Sequence, residues 1–271
     1  MNIKTTVLLN NGVKMPILGI GVYLAGENTE SAVTCALRTG YRLIDTAATY
    51  GNEKQVGNAV RNSGIPRDEI FITTKLWNED MRNGTQRKAY RESLRLLDVD
   101  YIDLYLIHWP VADKYKDTWK IMEDLYSEGK IRAIGVSNFE IHHLENILSD
   151  ATVIPAVNQI EFNPLNTRKD LIEYCRKKGI VCEAWSPFRR GVMLKHELIE
   201  EISKKYNKSS AQVILRWDLQ HQIITIPMAV EPCFIEENSQ IFDFSLTDEE
   251  MKMIDACNEN LYMADPNHVT W

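Results

Sequence analysis

Six residues with the chemistry of an active site each follow or end a short apolar segment of the chain. They are Asp45, Lys75, His108, Asn138, Gln159 and Trp185. A carboxylate, an ammonium group and an imidazole can together hold and transfer protons, and a lysine can also form a Schiff base with a carbonyl compound. A single polar residue in such a place usually only satisfies buried backbone groups. Six of them, from six segments, indicate a functional site.

The segments that carry these residues are predicted to be β-strands. With two more of the same kind they cover residues 18–22, 42–45, 70–74, 102–107, 131–136, 156–159, 181–184 and 223–226. Amphipathic helical patterns separate them, at residues 29–39, 53–63, 85–97, 118–128, 142–148, 168–178 and 209–219. Nearly uninterrupted apolar strands that alternate with helices predict a parallel sheet covered on both faces.

Eight such strand–helix units favour a closed (β/α)8 barrel, and a doubly wound open sheet is the alternative. In a barrel the active site is built at the carboxyl ends of the strands, which is where the six residues fall. Residues 6–9 and 13–18 flank Asn10-Asn11-Gly12, and an Asn-Gly turn between two short apolar runs predicts a β-hairpin. No linker-like segment divides residues 1–271, so we expect one domain.

The composition argues against several classes of function. The chain has a formal net charge of −7, so the phosphate backbone of nucleic acid would be repelled. No segment approaches the ~20 apolar residues of a membrane span, and residues 1–9 lack the apolar run of a secretory signal. The five cysteines form no CxxC pair, as expected of free thiols in a reducing compartment. We therefore expect a cytoplasmic protein with neither nucleic-acid nor membrane partners.

Two incomplete motifs argue against other kinds of site. Gly19-Ile20-Gly21 begins like the dinucleotide fingerprint of an open α/β sheet, but Leu24 stands at the third glycine position. Residues 196–200, His-Glu-Leu-Ile-Glu, begin like a zinc-binding helix but end in glutamate. We therefore expect neither a Rossmann fold nor a bound metal.

Three long motifs carry a resemblance to a known family. Residues 40–53 read GYRLIDTAATYGNE, residues 103–110 read DLYLIHWP, and residues 129–139 read GKIRAIGVSNF. They resemble the signatures of the aldo-keto reductases, and the chain is similar to short-loop, bacterial-type members such as 2,5-diketogluconate and glyoxal reductases. The resemblance implies a TIM barrel whose bottom is closed by the N-terminal hairpin. It also implies an oxidoreductase that reduces aldehydes and ketones to alcohols with NAD(P)H.

The resemblance further implies a catalytic group of Asp45, Tyr50, Lys75 and His108. Tyr50 would donate the proton to the carbonyl oxygen, although a phenol with a pKa of ~10 is a weak donor near neutrality. A lysine ~4 Å away in a partly dry site can favour the phenolate by ~4 kcal/mol, so we expect Lys75 to lower the pKa of Tyr50. Asp45 would hold Lys75 in place, and His108 would hydrogen-bond the carbonyl oxygen.

The same resemblance implies the residues that bind the nicotinamide dinucleotide. They are Gly21, Val22, Asp45, Ser137, Asn138, Gln159, Trp185, Ser186, Phe188, Arg189, Ile226, Met228, Ala229, Phe234, Glu237 and Asn238. Ser137, Asn138 and Gln159 would hydrogen-bond the carboxamide, and Trp185 would stack on the nicotinamide ring. Residues 237 and 238 would contact the adenine.

The cofactor preference is predicted from the adenosine end of this set. NADPH is the family default, and relatives that use it have the pattern IPKS-x4-RI-x-EN, in which x is any residue. The corresponding residues 226–238 of this chain read IPMAVEPCFIEEN. Met228, Ala229 and Phe234 thus replace the lysine, serine and arginine that hold the 2′-phosphate. None of the three can donate a hydrogen bond to it, so NADH is favoured. Compensation by Arg189 or Arg190, expected beside the pyrophosphate, is the alternative.

The substrate-binding residues that the resemblance implies are Tyr23, Tyr50, Trp77, His108 and Trp109, with Trp271 as a further candidate. Residues 111–117 are few for a substrate-covering loop, so an open pocket with an aromatic rim is expected, suited to small carbonyl compounds. We expect a monomer or a weak oligomer. Two alternative functions stay open: a Schiff-base lyase that uses Lys75, and a non-catalytic nicotinamide-binding barrel.

Overall fold

The chain opens with an antiparallel hairpin in the computed structural model, which describes residues 1–271. Its strands are β1 (Thr6–Leu8) and β2 (Lys14–Pro16). Gly12 makes the turn with a φ of 86°, a value that favours glycine. Leu9 and Met15 are buried and pack against the residues that begin the barrel strands. The predicted hairpin therefore covers the amino end of the barrel.

Eight parallel strands follow, and their order in the sheet is their order in the chain. They are β3 (Gly19–Gly21), β4 (Leu43–Asp45), β5 (Phe71–Leu76), β6 (Ile102–Ile107), β7 (Ile131–Ser137), β8 (Val157–Glu161), β9 (Val181–Trp185) and β10 (Ile224–Thr225). Two further parallel bridges, Leu18 with Thr225 and Gly21 with Met228, join the first strand to the last. The sheet thus closes into a barrel, and the open doubly wound alternative is wrong.

The predicted strands at this seam are longer than the observed ones. Residues 18–22 and 223–226 were the expected ranges, but β3 has three residues and β10 has two. Where the first and last strands meet, few consecutive backbone hydrogen bonds form between them. The nearby residues Leu18 and Met228 therefore take part only in isolated bridges.

The predicted helices form the outer layer of the barrel. In chain order the helices are α1 (Thr29–Thr39), α2 (Glu53–Asn62), α3 (Asn78–Asn83), α4 (Gln86–Leu97), α5 (Tyr115–Ser127), α6 (Ile141–Leu148), α7 (Lys169–Lys177), α8 (Glu197–Tyr206), α9 (Ser210–Gln220), α10 (Pro232–Ser239) and α11 (Asp248–Asp255). Helix α5 begins three residues before the predicted start at residue 118, since Tyr115 packs in the core together with Trp119. No helix is both long and apolar enough to cross a bilayer.

Four of these helices, α3, α8, α10 and α11, lie outside the predicted segments. Local signals for two of them exist in the sequence. Pro232 occupies the first turn of α10, a position where proline is favoured. Thr247 caps α11 and exchanges hydrogen bonds with Glu250 three residues later, a capping box. Helix α3 has only six residues, too few for a clear periodic pattern.

The barrel interior changes character along its axis. Toward the amino ends of the strands it is filled by an apolar cluster that includes Leu43, Phe71 and Leu104. Toward the carboxyl ends the buried side chains are polar or charged, among them Lys75 and Gln159. The functional groups therefore pack directly above a dense apolar layer of the barrel interior, which limits their movement.

Candidate active site

Asp45, Tyr50 and Lys75 form one connected group at the carboxyl end of the barrel. Asp45 ends β4 and Lys75 lies in β5, while Tyr50 ends the short turn of 3-10 helix at Ala48–Tyr50. Lys75 Nζ donates to Asp45 Oδ1 at 2.6 Å, to the backbone oxygen of Thr46 at 2.9 Å and to the Tyr50 phenol oxygen at 3.5 Å. The three hydrogens of the ammonium group therefore have three acceptors.

Burial, rather than Lys75, dominates the acidity of the Tyr50 phenol. Burial raises the pKa of Tyr50 to about 12, while the charge of Lys75 opposes the rise and the charge of Asp45 adds to it. Lys75 therefore lowers the pKa of Tyr50, as expected, but burial raises it by more, and the net pKa lies above that of a free phenol. The phenolate loses more from desolvation than it regains from an ammonium group that Asp45 already balances. The phenol is thus protonated at neutral pH, as a proton donor must be.

Lys75 itself is charged. Burial lowers the pKa of Lys75, but the carboxylate of Asp45 outweighs that effect and the pKa is raised. A protonated amine has no lone pair with which to attack a carbonyl carbon. The geometry therefore does not fit the Schiff-base alternative.

His108 follows β6 and is buried beside the tyrosine. Its ring lies edge-on to the rings of Tyr50, at 5.8 Å between centroids, and Trp77, at 5.2 Å. Burial, and then the charge of Lys75, lower the pKa of His108 well below its usual range, so the imidazole is neutral. Nδ1 is buried without a hydrogen-bond partner. Nε2 is therefore the ring nitrogen left to meet a ligand.

Asn138 follows β7 and connects His108 to Trp185. Its backbone is left-handed, with a φ of 64°, which asparagine tolerates better than most residues. Nδ2 donates to the backbone oxygen of His108 and to Ser137 Oγ, both at 3.0 Å, and Oδ1 accepts a hydrogen bond of 2.7 Å from Trp185 Nε1. These contacts fix the plane of the Trp185 indole at the end of β9.

Gln159 joins this group to the buried ion pair. Its Nε2 donates to Asp45 Oδ2 and to Glu183 Oε2, each at 2.7 Å. Both amide hydrogens are therefore used within the protein, and Oε1 is the polar atom that remains for a ligand. A free amide oxygen suits the N–H of a carboxamide, and the Trp185 indole offers a face for a planar ring. The residues present thus fit a nicotinamide.

Aromatic side chains surround the phenol and the imidazole. The ring of Tyr23 lies 4.9 Å from that of Tyr50, and the ring of Trp109 lies 6.4 Å from His108 and 5.3 Å from Trp271. Tyr23 and Trp271 are 47% and 44% exposed. The rim is therefore open to solvent, and it includes Trp271 together with the predicted substrate-binding residues.

The loop after β9 has an unusual backbone. Ser186, Arg189 and Arg190 have φ values of 54°, 46° and 52°, although none of them is glycine. Left-handed conformations in non-glycine residues cost energy and often occur at ligand-binding segments. Phe188, between Ser186 and Arg189, is half-buried against the outer core, which is the apolar cluster formed by the barrel strands and the surrounding helices and includes Trp119. The predicted pyrophosphate contacts therefore share one strained loop at the end of β9.

Gly21, Val22 and Ile226 lie at the seam where the barrel closes. A Cβ atom at Gly21 would stand 2.9 Å from the backbone oxygen of Ile226, so no side chain fits there. The Gly21 N–H donates to the backbone oxygen of Pro227 at 3.1 Å, and Val22 is fully buried. Gly21 is the glycine that this close approach requires.

The remaining predicted cofactor residues follow β10 and continue into α10. Met228 is 44% exposed and Phe234 is 56% exposed, while Ala229 is half-buried. Glu237 Oε1 accepts a hydrogen bond of 2.6 Å from Ser209 Oγ, and Asn238 is buried. The positions that would face a 2′-phosphate therefore present apolar surface.

Two members of the polar network were missed by the sequence reasoning. Glu183 is buried in β9, where it is the single charged residue of the strand VCEAW. A charged residue inside an apolar strand is a usable signal, because a buried charge needs a partner or a function. Thr46 accepts a hydrogen bond from Lys75 through its backbone oxygen. Every residue has a backbone oxygen, so the residue type at position 46 gave no signal for this contact.

Comparison with known proteins agrees with this architecture. The model of the aldo/keto reductase family matches residues 18–259. Glyoxal reductase of Bacillus subtilis (strain 168) is 53% identical over 261 residues, which cover 96% of this chain and 95% of the relative. The 9,11-endoperoxide prostaglandin H2 reductase of Trypanosoma cruzi is 49% identical over 94% of this chain and 92% of its own length.

Solved structures of aldo-keto reductases have the same fold as this chain. An aldo-keto reductase from a deep-sea metagenome library of the Medee basin superimposes with a TM-score of 0.95 at 42% identity, covering 98% of this chain and 100% of the other. A Bombyx mori aldo-keto reductase in complex with NADP superimposes with a TM-score of 0.89 at 37% identity, covering 96% and 95%. The chain therefore belongs to the aldo/keto reductase family and is an oxidoreductase that reduces carbonyl compounds with a nicotinamide cofactor.

Proposed function

We propose that Tyr50 is the proton donor of this reductase, assisted by Lys75, Asp45 and His108. The observation that carries the assignment is the chain of contacts from Asp45 through Lys75 Nζ to the phenol oxygen, at 2.6 and 3.5 Å. The nicotinamide, when bound, supplies the hydride. The protein's own task is then to protonate the carbonyl oxygen and to stabilise the phenolate that this leaves behind.

His108 orients the carbonyl group in this proposal. Its imidazole is neutral, since burial and Lys75 lower its pKa, and its buried Nδ1 lacks a partner. In this proposal Nε2–H of the neutral ring donates a hydrogen bond to the carbonyl oxygen and keeps its proton, while the phenol of Tyr50 transfers the one proton that the reduction requires. Two donors on one oxygen fix its direction and stabilise the charge that develops on it.

We also propose that the cofactor is bound by the sixteen residues named above and that NADH is preferred to NADPH. Met228, Ala229 and Phe234 offer no donor to a 2′-phosphate. In addition, the exposed residues Glu231 and Glu236 lie three positions before and two positions after Phe234 in the chain, and negative charge near a 2′-phosphate would disfavour its binding. Hydrogen bonds to charged groups contribute ~1.5–3 kcal/mol each, so the loss of two or three disfavours NADPH by ~10²-fold or more.

Small aldehydes and ketones are the substrates that we propose. The rim formed by Tyr23, Trp77 and Trp109 is aromatic, and Tyr23 is exposed to solvent, which suits compact carbonyl compounds of varied structure. The similarity to a protein named glyoxal reductase makes small dicarbonyl compounds the first to test.

A panel of carbonyl compounds, assayed by nicotinamide absorbance with NADH and with NADPH, tests these proposals together. We expect turnover of small aldehydes and a higher kcat/KM with NADH. A kcat/KM for NADPH ~10-fold above that for NADH would contradict the cofactor assignment and would point to a phosphate contact elsewhere, with Arg189 or Arg190 as candidates.

We propose further that residues 1–271 act as one domain, as a monomer or weak oligomer, in the cytoplasm. All five cysteines are unpaired, which is compatible with a reducing compartment. Sedimentation at micromolar concentration tests the oligomeric state, and a stable tetramer would contradict it.

A further inference from the structure

Glu183 is a carboxyl group inside the barrel. Its neighbours in β9, Cys182 and Ala184, belong to the outer core, so the alternation of a strand directs Glu183 inward. Its side chain has no exposed surface. A carboxylate removed from water without an ion pair is costly. Glu183 therefore needs a compensating contact or a neutral form.

The one hydrogen-bond partner of Glu183 is the amide of Gln159. Gln159 Nε2 lies 2.7 Å from Glu183 Oε2 and 2.7 Å from Asp45 Oδ2, so its two hydrogens are divided between two carboxyl groups. The other oxygen, Glu183 Oε1, is buried and has no partner. A single amide donor does not offset the desolvation of a full negative charge. The geometry therefore favours the neutral acid.

Two charged side chains face Glu183 from the other strands: Asp45 from β4 and Lys75 from β5. Burial raises the pKa of Glu183 to about 8, and the charge of Asp45 adds to the rise while Gln159 and Lys75 oppose it. With Glu183 neutral, the group that it forms with Asp45 and Lys75 holds one carboxylate and one ammonium group. With Glu183 ionised, it holds a second carboxylate linked to the first through one amide.

We propose that Glu183 is a positioning residue whose ionisation sets the alkaline limit of carbonyl reduction. In its neutral form it holds the Gln159 amide and preserves the charge balance of the Asp45–Lys75–Tyr50 group. This proposal rests on the roles proposed above for those three residues. A second negative charge holds Lys75 more strongly and disfavours the phenolate that forms when Tyr50 gives up its proton. Reduction therefore slows as Glu183 loses its own proton.

The substitution Glu183→Gln tests the proposal, because glutamine has the shape of the neutral acid, accepts the same hydrogen bond and cannot ionise. For both proteins, kcat/KM for a reducible aldehyde is measured from about pH 6 to about pH 10. We expect the wild-type profile to fall above a pH of about 8. The kcat/KM of the variant should lie within ~3-fold of the wild-type value near pH 6. It should begin to fall at a pH at least ~1 unit higher than that of the wild type. Superimposable profiles would overturn the proposal.

Asp218→Asn is the matched control. Asp218 is a second buried carboxyl group with a raised pKa, but it lies on α9 and accepts its hydrogen bond from Thr225 at 2.6 Å, outside the network. We expect its profile to follow the wild type. A shift equal to that of Glu183→Gln would show that loss of any buried carboxyl group moves the alkaline limit, and the assignment to Glu183 would be wrong.

Tyr50→Phe separates this proposal from the one on which it rests. If Tyr50→Phe still reduces aldehydes at nearly the wild-type rate, the proposed proton donor is wrong. If Tyr50→Phe is inactive and the Glu183→Gln profile is unchanged, only the role of Glu183 is wrong.

Infrared spectroscopy of the wild-type protein covers the case in which Glu183→Gln does not fold. With isotope-labelled glutamate, difference spectra during a pH titration follow the loss of the carboxylic-acid C=O stretch. We expect a buried glutamic acid to ionise at a pH of about 8. The absence of any such ionisation between about pH 7 and about pH 9 would overturn the proposal.

Discussion

The phenol oxygen of Tyr50 lies 3.5 Å from Nζ of Lys75, which is itself bound to Asp45 at 2.6 Å. At such a separation an ammonium group stabilises a phenolate by about 4 kcal/mol at an effective dielectric constant of about 20. That is a large effect for a donor whose pKa burial raises to about 12. Proton transfer in this site therefore depends strongly on the two side chains that hold the charge beside the phenol.

Tyr50→Phe should bind the cofactor and lose reduction. The phenyl ring fills the same space, whereas general acid catalysis is typically worth ~10²–10⁴-fold. Steady-state rates and quenching of tryptophan fluorescence by NADH measure the two properties separately. Tyr174→Phe, on the outer helix α7, is the control that removes a phenolic hydroxyl outside the site. Reduction by Tyr50→Phe within ~10-fold of the wild type, with the fold intact, would contradict the assignment.

Lys75→Met should cost both activity and stability. It leaves the buried carboxylate of Asp45 without its counter-ion, and breaking a buried pair in this way costs ~3–5 kcal/mol in the free energy of unfolding. Urea denaturation measures the loss. Adding Asp45→Asn should restore much of the stability without restoring reduction, since the unpaired charge is then gone. A double variant no more stable than Lys75→Met would show that the ion pair is not the cause.

The combined change Met228→Lys, Ala229→Ser and Phe234→Arg should raise kcat/KM for NADPH by ~10²-fold, because it restores two or three donors to the 2′-phosphate at ~1.5–3 kcal/mol each. The value for NADH should change far less. Met253→Lys, at an exposed methionine of α11, adds a positive charge elsewhere and should leave the ratio of the two cofactors unchanged. An equal gain for both cofactors in the triple variant would mean that general electrostatic attraction, rather than a phosphate site, was created.

His143 should make the protein less stable in mild acid. Its Nδ1 accepts the backbone N–H of Glu140 at 3.1 Å, and burial lowers the pKa of His143 to about 4. The unfolded chain takes up a proton near the ordinary histidine pKa of ~6.5, whereas the folded protein does not until the pH is lower. The free energy of unfolding should therefore fall as the pH drops from ~6.5 toward 4 and be independent of this group above that range, with a loss on the order of 2–3 kcal/mol.

Urea denaturation at several pH values measures this dependence. His143→Gln should flatten it, while His268→Gln, at an exposed histidine, should not. Equal slopes in the wild type and in His143→Gln would contradict the prediction and would assign the acid sensitivity to other groups, His108 among them.

Local patterns in the sequence were sufficient for much of the fold. The strands from β4 to β9 were found as nearly uninterrupted apolar segments, and seven of the outer helices were found because their apolar side chains repeat with the period of a helix. Their positions at the ends of predicted strands were enough to identify six functional residues before any contact between them was known: Asp45, Lys75, His108, Asn138, Gln159 and Trp185. The short helices α3 and α10 were missed, because six to eight residues carry little periodic signal.

The long-range contacts were decided only in three dimensions. The hydrogen bond from Gln159 to Asp45 joins residues 114 positions apart, and it forms only because closure of the sheet brings β4 and β8 to face one interior. The acidity of Tyr50 likewise depends on how much water the folded barrel removes, and that burial reversed the shift expected from Lys75. The sequence alone determined which residues stand at the ends of which strands, since that is a property of neighbours along the chain. The tertiary structure decided their distances and desolvation, and through them the charge state of each group, because these depend on segments that meet only after folding.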